Sequence, residues 1–142
     1  YGPGQPQDRT AYGVVNRLIH LAIAGQPLPV YGDGLQQRDY IHIDDVTSAL
    51  LTLGRAAAAD GRVYNVGSGV GTRMVDMARL IIDSAGGGSL ESVPWPALAA
   101  RIETGDFVAD ITRIAHEVGW VPEVRLAEGV ARTVAFYRAH AA

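Results

Sequence analysis

Short β-prone runs alternate with segments of helical periodicity along the whole sequence, the pattern of an α/β arrangement. The first helix is expected over residues 12–24, with Val14, Leu18, Leu21 and Ala22 recurring at helical spacing and Gly25 and Pro27 as the stop. A second should open with Asp44 as cap and Asp45 in its first turn, burying Val46, Ala49, Leu50 and Leu53. A third runs from a Thr72 cap to about Ser84, with Val75, Ala78, Ile81 and Ile82 inward. A short one follows an Asp110 cap to Val118, and the last covers residues 127–138 with Val130, Val134 and Tyr137 inward. Extended runs fall at residues 28–31, where Pro29 dictates a strand start or an edge, and at 38–43, 63–66, 90–93 and 107–109. Gly32-Asp33-Gly34 reads as a turn. Trp95 should pack in a loop, and Trp120 against the last helix. A parallel sheet needs several neighbouring strands and cover on both faces. Strands this sparse imply part of a sheet whose central strands are missing.

Composition narrows the function classes. Of the 142 residues, 48% are apolar and 19% charged, an ordinary globular balance that allows one domain with a sizeable core. The net charge is −3 and the basic residues are scattered, which argues against a nucleic-acid partner. No run approaches the roughly 20 apolar residues of a membrane span. Cysteine is absent, so there is no disulfide frame and no thiolate metal site, as suits a reducing, cytoplasmic setting. The four histidines are far apart and no pair has zinc-ligand spacing, so no metal is expected. The Gly/Pro-rich opening, without an initiator Met, reads as the middle of a longer protein.

Residues 30–46 hold the most informative chemistry. A tight Gly-Asp-Gly turn lets backbone approach a ligand closely, and Arg38 on the following strand offers a planar fork to phosphate oxygens. The plainer alternative is a hairpin in which Arg38 pairs with Asp39 or Asp44. Asp44-Asp45 forms a carboxylate pair that a capped helix start already explains.

The same stretch resembles the signature of sugar-nucleotide epimerases and dehydratases. There an extended strand leads through Gly-Asp-Gly to an Arg-Asp-aromatic strand and an Asp-Val helix start. Other motifs agree in order: Tyr1-Gly2-Pro3-Gly4-Gln5, Tyr64-Asn65-Val66-Gly67-Ser68-Gly69, Ala109-Asp110 with Gly119-Trp120-Val121-Pro122, and Leu126-Ala127-Glu128-Gly129-Val130 with Phe136-Tyr137. Together they span essentially the whole chain. They liken it to the C-terminal, substrate-binding part of an extended short-chain dehydrogenase/reductase. The implied fold is the C-terminal portion of a Rossmann-type enzyme, a small mixed α/β nucleotide-sugar-binding domain over residues 1–142 that lacks the N-terminal dinucleotide-binding sheet.

The resemblance also implies roles. Arg38 would contact the diphosphate of a UDP-, dTDP- or GDP-sugar, and Val30 and Tyr31 would meet the nucleobase, largely through backbone groups. The family's Arg-Pro-Gly-Asp stretch corresponds to Glu103-Thr104-Gly105-Asp106. Asp106 would keep its place on the ribose hydroxyls, whereas the phosphate-binding Arg is Glu103 here, leaving Arg101 as a candidate replacement. Asn65 is a ligand contact by resemblance and a strand-end turn residue by default. Asn16 stands where many relatives have proline, and is either a ligand contact or a local cap.

The intact parent would use NAD or NADP, held by its missing N-terminal Rossmann half. This chain has no Gly-x-x-Gly-x-x-Gly turn opening a helix and no lysine for the family's Tyr-x-x-x-Lys pair, so no catalytic residue and no bound cofactor are expected in it. Gly67-Ser68-Gly69-Val70-Gly71 sits between a strand and a helix and is the one run that could bind a phosphate there, although the resemblance makes it an ordinary turn. Two rivals stand beside the enzyme part: a free-standing nucleotide-sugar-binding or protein-interaction module, and a purely structural remnant. Helices built to cover an absent sheet would expose apolar faces, so a homo-oligomer is expected of the isolated chain.

Overall fold

The computed structural model describes residues 1–5 and 13–140. In chain order these form α1 (Val14–Ile23), β1 (Pro27–Tyr31), β2 (Gln37–Asp39), α2 (Ile43–Leu53), a 3₁₀ turn (Ala57–Ala59), β3 (Gly71–Arg73), α3 (Met74–Ala85), β4 (Ser89–Val93), α4 (Ala97–Ile102), α5 (Thr112–Val118) and α6 (Leu126–Ala139). β1 and β4 make a two-stranded parallel sheet, with Leu28 opposite Leu90 and Tyr31 opposite Val93. β2 and β3 make a two-stranded antiparallel sheet, with Arg38 opposite Thr72 and Asp39 opposite Gly71. The mixed α/β expectation holds.

The main core lies where α1, α3 and α6 close over β1. Val15, Leu18, Ile19 and Ala22 of α1 meet Leu28 and Val30 of β1, Met77, Ala78 and Ile81 of α3, and Val130, Val134 and Tyr137 of α6. Each fully buried side chain of this size is worth about 1.5–3 kcal/mol, so this cluster dominates stability. Asn16 is buried within it and acts as a strut: its Nδ2 donates to the Gly2 carbonyl (2.6 Å) and the Tyr137 hydroxyl (2.9 Å). α1 ends through glycine chemistry. Gly25 takes φ of 67°, its N–H bonds Ala22 O, and the N–H of Gln26 reaches back to Leu21 O.

A smaller core joins α2 and α5. Ala49, Ile114 and Trp120 are buried together, with Ile41, Leu53 and Tyr64 against them. Trp120 therefore packs on this second cluster and not on the last helix, because the glycine at Gly119 (φ of 75°) turns the chain back over α5.

Several expectations need correction. Tyr12, expected in the first helix, lies outside the described residues, and Val14, expected inward, is 47% exposed. His42, not Asp44, caps α2, its Nδ1 accepting from Asp44 N (3.2 Å), while the Asp44 carboxylate pairs with Arg132. Leu50 is 63% exposed, since only the Asp45–Ala49 side of α2 meets the rest of the chain. Residues 63–66 and 107–109 form no ladder. They bond through scattered contacts instead, such as Phe107 N to Gln37 O (3.1 Å). Thr72 lies in β3, and the α3 cap position falls to Arg73. α4 had no counterpart among the expected elements.

The Gly32-Asp33-Gly34 turn is held from several sides. Asp33 Oδ1 accepts from Leu35 N (3.0 Å), and Val75 N at the start of α3 donates to Gly34 O (3.0 Å). At Gly34, with φ of 69°, an added Cβ would lie 2.5 Å from Val30 Cγ1 and 3.0 Å from Val75 Cβ. Gly34→Ala should therefore lower stability by about 2–4 kcal/mol, combining left-handed strain with overpacking. Chemical denaturation would measure this, and a cost below about 0.5 kcal/mol would show that the turn relaxes freely.

Candidate functional site

A strand points successive side chains to opposite faces, and β2 uses both. On one face Asp39 gathers three backbone N–H groups, from Ser68 (2.7 Å), Gly69 (2.9 Å) and Ala109 (3.2 Å), and the Ser68 hydroxyl (2.6 Å). On the other, the Arg38 guanidinium donates to the carbonyls of Gln37 (2.8 Å) and Gly105 (2.6 Å) and pairs with the Glu103 carboxylate. Arg38 thus pairs with neither Asp39 nor Asp44. Asp39 faces the opposite way, and Asp44 is taken by Arg132.

Residues 105–107 lie along the edge of β2 that β3 leaves free. Gln37 N donates to Asp106 Oδ1 (2.7 Å), and Gln37 Nε2 lies 3.3 Å from Asp106 Oδ2. Arg38, Glu103 and Asp106 are thereby brought to one edge of one short strand, although 65 residues separate the first two. The bond from Arg38 holds the Glu103 carboxyl below the ordinary carboxylate range, with the Gly105 and Thr104 backbone adding to it. Both Asp106 oxygens keep a free lone pair for hydroxyl donors.

Val30 is 2% exposed, main chain included, so almost none of it is open to a ligand as the chain stands. Tyr31 ends β1 half-buried, its ring 5.3 Å from that of Trp95 and tilted by 44°. A small cavity of about 50 Å³ beside Tyr31 is shared with Arg17, Gln36 and Met74. A larger cleft of about 300 Å³ lies between Tyr40, Thr72 and the turn that carries Pro122 and Arg125, and none of the six expected contacts lines it. Burial pushes the Tyr40 hydroxyl up to about 12, with Arg38 pulling the other way.

No hydrogen bond or ion pair among the described residues ties the remaining expected contacts to this edge. Asn65 is exposed and donates to the Asp110 carbonyl (3.2 Å), serving the local chain path. Arg101 is exposed in the last turn of α4 and enters none of the ion pairs among the described residues. Asn16 bonds Gly2 and Tyr137, so it works as a strut and not as a cap. Sequence reasoning overlooked Gln37, whose main chain and side chain seat Asp106. It also overlooked that Glu103 would meet Arg38. The alternation of β2 was the available signal, since it sets Arg38 opposite in direction to Asp39.

The Gly67–Gly71 run does not fit a dinucleotide phosphate. Its Ser68 and Gly69 N–H groups are already spent on Asp39, and an added Cβ at Gly67 would lie 2.5 Å from Ala109 Cβ. Among the described residues no group of three or more His, Cys, Asp or Glu is placed to hold a metal ion, and no helix is long and apolar enough to cross a membrane.

Two predictions follow from this geometry. Asp39→Ala strands three backbone donors at once and should cost about 2–4 kcal/mol by chemical denaturation; a loss under about 1 kcal/mol would mean that water replaces the carboxylate. The second concerns pH. His42 is buried with its Nε2 unpartnered, and burial lowers its pKa, as it does that of His20. Below about pH 6.5 the unfolded chain takes up protons that the folded chain refuses, so stability falls as pH falls. The melting temperature should drop between pH 7.5 and 5.5, less steeply in His42→Asn, and a flat profile would contradict the assignment.

Residues 1–67 match the model of the NAD dependent epimerase/dehydratase family. The dTDP-glucose 4,6-dehydratase of Streptomyces griseus is 37% identical over 145 aligned positions, which cover 99% of this chain and 40% of that protein. The UDP-glucose 4-epimerase of Thermotoga maritima, solved with UDP-glucose, superposes with a TM-score of 0.84 at 29% identity, over 100% of this chain and 44% of that one. The dTDP-glucose 4,6-dehydratase of Bacillus anthracis, solved with NAD, gives a TM-score of 0.79 at 26% identity, over 98% of this chain and 42% of that one. The chain spans about two-fifths of the length of the proteins it matches. It is a relative, from end to end, of the C-terminal part of the extended short-chain dehydrogenase/reductases of the NAD dependent epimerase/dehydratase family.

Proposed function

We propose that residues 1–142 are the nucleotide-sugar-binding part of an NAD(P)-dependent epimerase or dehydratase. The observation that carries this reading is the edge of β2, where a guanidinium and the Asp106 carboxylate stand together next to the turn that follows Tyr31. A diphosphate requires forked, charge-assisted donors, and Arg38 supplies them. Asp106 takes the ribose hydroxyls, and the main chain at Tyr31, with that of Val30 once its cover shifts, meets the base. Arg101 and Asn65 are secondary contacts, each requiring a movement of its segment towards the ligand. The ligand class is a UDP-, dTDP- or GDP-sugar.

NAD or NADP would supply hydride chemistry to the parent enzyme. The residues of this chain do not fit it, because the one glycine run of suitable placement is closed by Asp39 and the sequence has no lysine. The cofactor and the base therefore belong to the N-terminal Rossmann half, and this chain alone turns nothing over. Exposed Leu50 (63%) and Leu51 (55%) on α2 support a covering partner, whether that half or a second copy in a homo-oligomer. A cytoplasmic setting accords with the cysteine-free sequence.

Titration calorimetry with UDP and dTDP tests the binding role. Binding should weaken about ten- to a hundredfold in Arg38→Ala, the worth of a charged hydrogen-bond pair. Equal affinity in the variant would refute the role of Arg38. With NAD(P) and a panel of sugar nucleotides, the chain alone should form no product, and turnover near about 1 per second would contradict the division of labour.

A further inference from the structure

The Arg38 fork is not open. The Glu103 carboxylate sits on its NH2 group, and the Gly105 carbonyl on NH1 (2.6 Å). The same Glu103 oxygen accepts from Gly105 N (3.0 Å), so the carboxylate and its own loop form a closed ring with the guanidinium. Both side chains are about three-quarters covered, at 28% and 23% exposure, which shields the pair from full solvent screening. One more tie fixes the loop, the bond from Gln37 N to Asp106 Oδ1 (2.7 Å). Where a phosphate-gripping site needs surplus positive charge, this edge sets one guanidinium against two carboxylates, Glu103 and Asp106.

We propose that Glu103 is an internal anion that competes with the diphosphate for Arg38, and so sets the affinity of the nucleotide site. The inference rests on the binding role proposed above for Arg38 and deepens it. Glu103 and two carbonyls already take three of the five guanidinium N–H donors, and a second anion beside the carboxylate is repelled, so a diphosphate must compete with Glu103 for the fork. Binding must swing Glu103 off Arg38, and residues 103–105 move with it because Gly105 hangs on the same carboxylate. The ion pair is the closed state, and the nucleotide selects the open one. A ligand without phosphates has no contest with Glu103 and should not sense it.

The experiment is calorimetry of the whole chain and of Glu103→Gln, Arg38→Ala and the double variant, with UDP and with uridine as probes. Circular dichroism melts confirm that each variant is folded. Removing the carboxylate should tighten UDP about three- to tenfold, the release of a partly screened ion pair together with its repulsion of the phosphates. Uridine affinity should be unchanged, and the gain should vanish in the Arg38→Ala background. Unaltered UDP affinity in Glu103→Gln, with Arg38→Ala still weakening it, overturns the competition and leaves the binding role standing. Equal tightening of uridine also overturns it, as would a full gain that persists without Arg38. Failure of Arg38→Ala to weaken UDP, or no UDP binding by any form, removes the binding role and the inference together.

Discussion

The Asp39 carboxylate is the tie on which the rest of the β2 region depends. It draws Ser68, Gly69 and Ala109 onto one side of a three-residue strand. Without it, the turn before β3 and the segment after residue 105 would have no shared anchor. Strand alternation then leaves Arg38, one residue earlier, facing the opposite way. The scaffold and the proposed binding edge are the two faces of the same strand.

That economy recurs because the described residues hold so little sheet. Two two-stranded sheets satisfy few backbone donors, and those left over need side-chain partners. Asp45, 4% exposed, takes the N–H groups of Glu123 (3.0 Å) and Val124 (3.1 Å), joining α2 to the turn before α6. Asp106 seats its loop on Gln37, and Asn16 fastens the first residues to α1 and α6. The aspartates that punctuate this sequence are loop anchors more than helix caps.

The helices were legible where an apolar stripe repeats, as with Val75, Ala78 and Ile81 or Val130, Val134 and Tyr137, because one-sided burial writes itself at that period. The turn at Gly32-Asp33-Gly34 was legible from residue chemistry alone. Residues 63–66 and 107–109 misled, because β-prone composition does not supply a neighbouring strand. Leu50 misled because helical spacing tells which residues share a face, not whether anything covers it. Of the proposed site, Arg38 and Asp106 were singled out through resemblance, and their meeting at Gln37 was not legible, since it spans 69 positions. The Arg38–Glu103 pair was hidden for the same reason.

The site we propose therefore consists of a guanidinium fixed by its strand, a carboxylate seated on the neighbouring residue, and a loop that now neutralises the fork. The most direct measurement is a structure of the chain soaked or grown with UDP. The account requires phosphate oxygens within about 3 Å of the Arg38 guanidinium nitrogens, with the Glu103 carboxylate withdrawn. A bound UDP whose phosphates lie elsewhere, with Arg38 still on Glu103, would contradict it.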